Sequence, residues 1–129
     1  MLRNVMAIAV GLAVWFFVVL IATPIVRGLW PDYVRVAAEM NFTLGMKLVR
    51  LAIGAVATVA AGWTTAVVAR GSAIAIATGA VLLVIFIPDH INLWNKFPLW
   101  YHLTFLLSLV PLCALGGGLS PRARLKWVG

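Results

Sequence analysis

Four long apolar stretches, separated by short polar intervals, dominate the pattern of this chain. They cover about 5–23, 48–69, 73–87 and 99–115. A helix needs about 20 mainly apolar residues to cross a bilayer, so the third stretch is at the short end of the usual range. Strands of a membrane β-barrel would alternate apolar and polar residues instead. The pattern predicts an all-α integral membrane protein: one domain over 1–129, with four transmembrane helices in an up-down bundle.

The polar interval after the first span contains a shorter predicted helix, within 30–40. Pro31 suits the first position of a helix, and Asp32 favours the positive N-terminal end of the helix dipole. An amphipathic helix of this kind is expected to lie in the membrane surface. The apolar residues that recur at helical spacing are Tyr33, Val36, Ala37 and Met40.

The composition agrees with a protein that is solvated by lipid. The chain is 64% hydrophobic and 10% charged, with a mean hydropathy of +1.10, whereas a soluble domain is about 45–50% apolar and about 25% charged. A net charge of +7 would suggest nucleic-acid binding in a soluble protein, but here the basic residues flank the spans. The single cysteine, Cys113, excludes an intrachain disulfide or a zinc site built from several cysteines.

The positive charges favour one orientation in the membrane. With four spans, the two termini and the turn near residue 70 share a side that carries five basic residues and no acid. The opposite side also has five basic residues, together with all three acids. The basic C-terminal tail favours placing both termini in the cytoplasm, in an inner (plasma) membrane. The basic residues on the side of the termini are Arg3, Arg70, Arg122, Arg124 and Lys126.

A dense aromatic cluster beside a histidine lies between the third and fourth spans. Trp94, Phe97, Trp100 and Tyr101 surround the start of the fourth span, next to His102. Such residues often form the aromatic belt at a membrane interface. The more specific interpretation is a surface that binds a lipid or a membrane partner protein, and these five residues are the candidates for it.

The same region suggests a second, weaker hypothesis, a metal site. Asp89, His90 and His102, with Glu39 from the connection after the first span, combine imidazole and carboxylate ligands, which suit zinc or a similar ion. The spacing matches no established ligand motif. The plainer alternative is a surface His90 and a His102 that is hydrogen-bonded near the headgroups, and a haem held by both histidines is a further idea. No cofactor is predicted from the sequence, although a bound lipid fits the aromatic cluster.

Small residues recur every fourth position along the second span, at Gly54, Thr58, Gly62 and Ala66. Such a stripe lets a neighbouring helix approach closely in lipid. It predicts a packing face within the bundle, with a dimer face as the alternative.

Arg50 is the ionisable residue that lies deepest within a predicted span, about one turn inside. We expect its long side chain to snorkel to the membrane surface. Coupled transporters and proton relays generally need an ionisable group within the membrane, so this pattern argues against a proton-coupled pump.

The first and third spans share a pattern that could reflect a duplication. Residues 7–11 (AIAVG) resemble residues 75–79 (AIATG), and Pro24 and Pro88 each precede a Leu-Trp pair at the same spacing. Two helical hairpins in parallel orientation would show such a match. Runs built from Ala, Val and Ile also match each other easily, so both alternatives stay open.

No motif of the chain indicates catalysis. The sequence offers no catalytic triad and no phosphate-binding glycine loop. The chain resembles small four-span bacterial inner-membrane proteins in general, but it lacks the marks of small multidrug exporters, fluoride channels and disulfide-forming membrane proteins. We expect a non-enzymatic inner-membrane protein that binds a membrane partner or a lipid through its aromatic, histidine-bearing face. The alternatives are an oligomeric channel or small-solute transporter, and a metal- or lipid-dependent membrane enzyme.

Overall fold

A computed structural model describes residues 2–39, 42–69, 71 and 73–121, and these ranges contain helices and no strand. Four of the helices are long and apolar enough to cross a membrane, which confirms the predicted fold class. A short helix follows the first long one, as predicted. The helices are α1 (Leu2–Leu29), α2 (Pro31–Ala37), α3 (Leu44–Ala69), α4 (Ala73–Asn92) and α5 (Leu99–Gly118).

The helices are longer than the apolar runs, and α4 is long and apolar enough to cross a membrane. α1 continues through Pro24, and α4 continues through Pro88 to reach 20 residues. Proline removes one bond from the helical ladder, but ending the helix at membrane depth would leave several backbone groups without partners. As a result, His90 lies in the last turn of α4 and not in a connecting loop.

α3 and α5 approach each other closely at two glycines. A Cβ atom on Gly62 would overlap the carbonyl oxygen of Cys113, and a Cβ atom on Gly116 would overlap the carbonyl oxygen of Val59. The contact is reciprocal, because each glycine meets the residue three positions before the other glycine. α1 packs mainly on α3, α4 packs mainly on α5, and α1 meets α4 over a shorter stretch.

The small-residue stripe of α3 is buried within this bundle. Gly54 faces the ring of Phe105 on α5, and Thr58 accepts a hydrogen bond of 3.0 Å from the indole nitrogen of Trp15 on α1. Gly62 meets α5 as described, and Ala66 is fully buried. In the described part of the chain, no buried side-chain nitrogen or oxygen lacks a hydrogen-bond partner, as apolar surroundings require.

The short helix α2 turns its apolar face inward. Pro31 starts it, Tyr33 is buried, and Asp32 and Arg35 form an exposed ion pair. Tyr33 packs with Phe42, Met46, Phe97 and Tyr101 at the end of the bundle where α3 and α5 begin. Met40, the turn residues Arg70 and Ser72, and the basic tail with Arg122, Arg124 and Lys126 lie outside the described residues.

Candidate functional site

A half-open cavity of about 500 Å³ lies at the end of the bundle where α1 and α4 finish and α3 and α5 begin. All four long helices and α2 contribute to its lining. Its apolar wall includes Trp15, Phe86 and Phe105, whose rings contact one another. Phe16 on α1 and Asp89 on α4 are both exposed lining residues, so the mouth lies between α1 and α4.

Arg50 occupies the polar end of this cavity. Its Nε donates a hydrogen bond of 3.2 Å to the hydroxyl of Tyr101, and its Nη1 donates one of 2.9 Å to the hydroxyl of Tyr33. The guanidinium carbon lies 4.7 Å from the ring centre of Phe42 and 5.6 Å from that of Phe97, within the range of cation–π attraction. The side chain therefore turns inward between α2 and α5, and the expectation that it snorkels to the surface is wrong.

The positive charge of Arg50 meets no carboxylate among the described residues. The ion pair that these residues form joins Arg35 and Asp32. A guanidinium carries five N–H donors, and Tyr33 and Tyr101 accept two of them. Nη2 makes no hydrogen bond within the described ranges, and since no buried side-chain nitrogen there lacks a partner, this atom reaches accessible space.

The two tyrosines add donors at the same place. Because each phenol oxygen accepts a hydrogen bond from Arg50, each hydroxyl hydrogen remains free to be donated elsewhere. Tyr33, Arg50 and Tyr101 all line the cavity. Donors around a cation that meets no carboxylate among the described residues suit anionic oxygens, because charge-assisted hydrogen bonds are the stronger kind.

The two histidines form a hydrogen-bonded pair between α4 and α5. The Nδ1 atoms of His90 and His102 lie 2.6 Å apart, and the rings meet edge to face at 81°. Nε2 of His102 lies 3.3 Å from the carbonyl oxygen of Trp94, whose indole stacks on the His102 ring at 4.8 Å. His102 is fully buried, and His90 lines the cavity.

The structure brings together two of the four residues of the predicted metal site. Two imidazole nitrogens on one tetrahedral zinc ion, with Zn–N bonds of about 2.0–2.1 Å, would lie about 3.3 Å apart, and the Nδ1 atoms of His90 and His102 are too close for that. The same spacing rules out a haem iron between these two nitrogens. Asp89 is exposed because it is offset around α4 from its neighbour His90, and Glu39 is exposed after α2. In the described ranges, no three His, Cys, Asp or Glu side chains converge.

The predicted aromatic face divides into two parts. Phe97 and Tyr101 are buried and line the cavity, and His102 lies behind His90. Trp94 and Trp100 are 50% and 41% exposed and do not line it. Trp94 instead covers the ring of His102.

Sequence reasoning missed the residues that the other helices contribute. Two of these residues have a sequence feature that could have indicated them. Arg50 lies inside an apolar span, and Tyr33 lies on the apolar face of α2. No sequence feature groups the three rings of the aromatic wall, because they come from three different spans. The lining residues missed in this way are Trp15, Tyr33, Arg50, Phe86 and Phe105.

Comparison of the chain with protein-family models, curated proteins and solved structures gives no match.

Proposed function

We propose that this is a non-enzymatic membrane protein that binds an anionic amphiphile from the bilayer. One observation carries the proposal: Arg50, at the inner polar end of the cavity, is held by two uncharged phenols and meets no carboxylate among the described residues. Placing a charge in such surroundings is costly unless a partner compensates it. An acidic headgroup on Arg50, Tyr33 and Tyr101 would supply that compensation.

The shape and lining of the cavity favour a single chain behind this head. At about 30 Å³ for each water-sized group, a cavity of about 500 Å³ holds on the order of 15–20 non-hydrogen atoms. That suits one acyl or alkyl chain, and a second chain would remain outside. The wall of Trp15, Phe86 and Phe105 is apolar, and the mouth beside the exposed Phe16 faces the side of the bundle. We infer that the ligand enters from the lipid.

Asp89 is the acidic residue of the lining, and it lies at the mouth. Because it is exposed, solvent and salt screen its charge. Arg50 is half-buried among aromatic rings, so its charge is screened less. The two charges together favour entry of the chain with its acidic head directed toward Arg50 and away from Asp89.

The proposal concerns binding and not catalysis. A histidine that activates a nucleophile is hydrogen-bonded to a hydroxyl or a thiol. Within the described residues, His90 hydrogen-bonds His102 and no hydroxyl or thiol. These contacts of the histidine pair therefore favour a binding role over a catalytic one.

The proposal is tested by the lipids that remain bound during purification. Wild-type protein extracted in mild detergent is expected to retain an anionic amphiphile, identified by mass spectrometry after solvent extraction. Arg50→Gln removes the charge and should reduce the retained amount at least tenfold, because a buried charge-assisted contact is lost. Lys96→Gln is the matched control, since it removes an exposed charge from the connection before α5. Equal retention by both variants would contradict the proposal.

We further propose an inner (plasma) membrane location with both termini in the cytoplasm and the cavity at the opposite face. The support is the basic C-terminal tail together with the absence of acidic residues on the side of the termini, since both sides carry five basic residues. A cysteine at exposed Asn95, between α4 and α5, should then react with a membrane-impermeant maleimide in intact cells. A cysteine at Gly71, between α3 and α4, should not react. The reverse labelling pattern would overturn this orientation.

A further inference from the structure

The hydrogen bonds around the histidine pair determine which ring nitrogens carry hydrogen. The carbonyl oxygen of Trp94 can only accept, so Nε2 of His102 carries a hydrogen. In a neutral ring the other nitrogen is then an acceptor, so Nδ1 of His102 accepts from Nδ1–H of His90. Nε2 of His90 is therefore left as an acceptor with no hydrogen of its own.

This acceptor is accessible, and it belongs to a residue that lines the cavity. Nε2 of His90 makes no hydrogen bond among the described residues, and no buried side-chain nitrogen there lacks a partner. The atom is thus accessible, on a residue that lines the cavity together with Arg50, Tyr33 and Tyr101. Beside its several donors, the lining therefore includes a neutral acceptor on α4, in addition to the exposed Asp89 and Asn92.

We infer that His90 makes the site selective for an amphiphile whose acidic head also keeps an O–H group, as a singly ionised phosphate monoester does. This inference rests on the proposed function. The anionic oxygens would accept from Arg50 and the two tyrosines, and the remaining P–OH would donate to Nε2 of His90. A phosphate monoester loses its second proton with a pKa of about 6, and a site that offers one cation and a neutral acceptor favours the form that retains this proton.

His102 acts as a positioning residue in this arrangement. It touches His90 and the Trp94 carbonyl and does not line the cavity. By accepting the Nδ1 hydrogen of His90, it fixes the His90 tautomer and the direction in which Nε2 points. Because the contacts of His102 are internal, the selectivity is built into the fold before the ligand arrives.

A pair of ligands that differ in one O–H group tests the inference. Dodecyl phosphate and dodecyl methyl phosphate have the same chain and both carry negative charge, but the methyl diester has no P–OH. Wild-type protein in nanodiscs of neutral lipid is expected to bind dodecyl phosphate about tenfold more tightly or better, the effect of one unsatisfied buried acceptor. Isothermal titration at pH 5 gives both affinities, because a monoester whose second pKa is about 6 is mainly singly ionised there and carries the same charge as the diester. Equal affinities in the wild type would overturn the inference without any variant.

His90→Phe removes the acceptor and keeps a ring between Tyr101 and Phe105, which the histidine contacts now. The ratio of the two affinities should fall to about one in this variant. His90→Gln, which retains an acceptor oxygen, serves as the second variant and should keep part of the preference. A full preference in His90→Phe would contradict the assignment to His90.

Different results would contradict the selectivity and the proposed function. If wild-type protein binds both phosphates equally well, the proposed amphiphile site stands and the selectivity is wrong. If it binds neither, the proposed function itself is wrong. Glycerol 3-phosphate has the same head and no chain, and it should bind more than tenfold more weakly than dodecyl phosphate. Equal binding of the two would assign the site to free organic phosphates and overturn the lipid source.

Discussion

Arg50 carries a full positive charge, but the side chains that it contacts among the described residues are uncharged. The hydroxyls of Tyr33 and Tyr101 satisfy two of its donors, and the ring of Phe42 lies beneath the guanidinium carbon. None of these contacts neutralises the charge. A half-buried cation held in a fixed position and left partly unsatisfied is typical of a binding site for an anion.

Tyr33 and Tyr101 also explain why this site was hard to predict from the sequence. They lie 17 and 51 residues from Arg50 along the chain. An apolar run indicates that a helix is present, but only the rotation of each helix about its axis decides which side chains meet. The sequence therefore indicated an unusual arginine and could not indicate its partners.

The histidine pair leads to a prediction at the scale of single atoms. His90 should carry its hydrogen on Nδ1 and His102 should carry its hydrogen on Nε2, because the Trp94 carbonyl can only accept. Nitrogen-15 NMR of histidine-labelled protein in lipid distinguishes the two tautomers, and His102→Gln assigns the signals. Two rings in the same tautomer would contradict the hydrogen-bond pattern.

The helices themselves show how much the apolar pattern could predict. Four spans and the short helix after the first were predicted because lipid requires long apolar helices. The ends of the helices were not predicted correctly. Proline commonly ends a helix in water, but Pro24 and Pro88 lie inside α1 and α4. The extra turn of α4 after Pro88 places His90 against His102, so the error in the boundary hid the pair.

The contact between α3 and α5 leads to a prediction for single methyl groups. Gly62→Ala would place a Cβ atom into the Cys113 carbonyl, and backbone atoms yield less readily than a flexible side chain. The variant should lose about 1–3 kcal/mol of unfolding free energy, measured by denaturant titration in detergent. Gly28→Ala is the control, because nothing lies within 4 Å of its added Cβ, and a slight gain from helix propensity is expected there. Equal effects in both variants would show that α3 and α5 do not meet as described.

At the scale of the whole molecule, the arrangement of the helices creates the cavity. α1 packs on α3, α4 packs on α5, and α3 and α5 join the two pairs through Gly62 and Gly116. The cavity lies where α1 and α4 finish, with Tyr33 of α2 and the rings of Trp15 and Phe86 among its lining. A cleft between two such pairs is a common place for a ligand in a helical bundle.

A map of the protein in lipid nanodiscs, at a resolution that shows bound lipids, tests the central claim most directly. Our account predicts density for an acidic head about 2.7–2.9 Å from the guanidinium of Arg50, the usual distance of a charge-assisted hydrogen bond. A single chain should follow from it along Trp15, Phe86 and Phe105. A cavity closed by its own side chains, or an Arg50 paired with a carboxylate of the protein, would contradict the account.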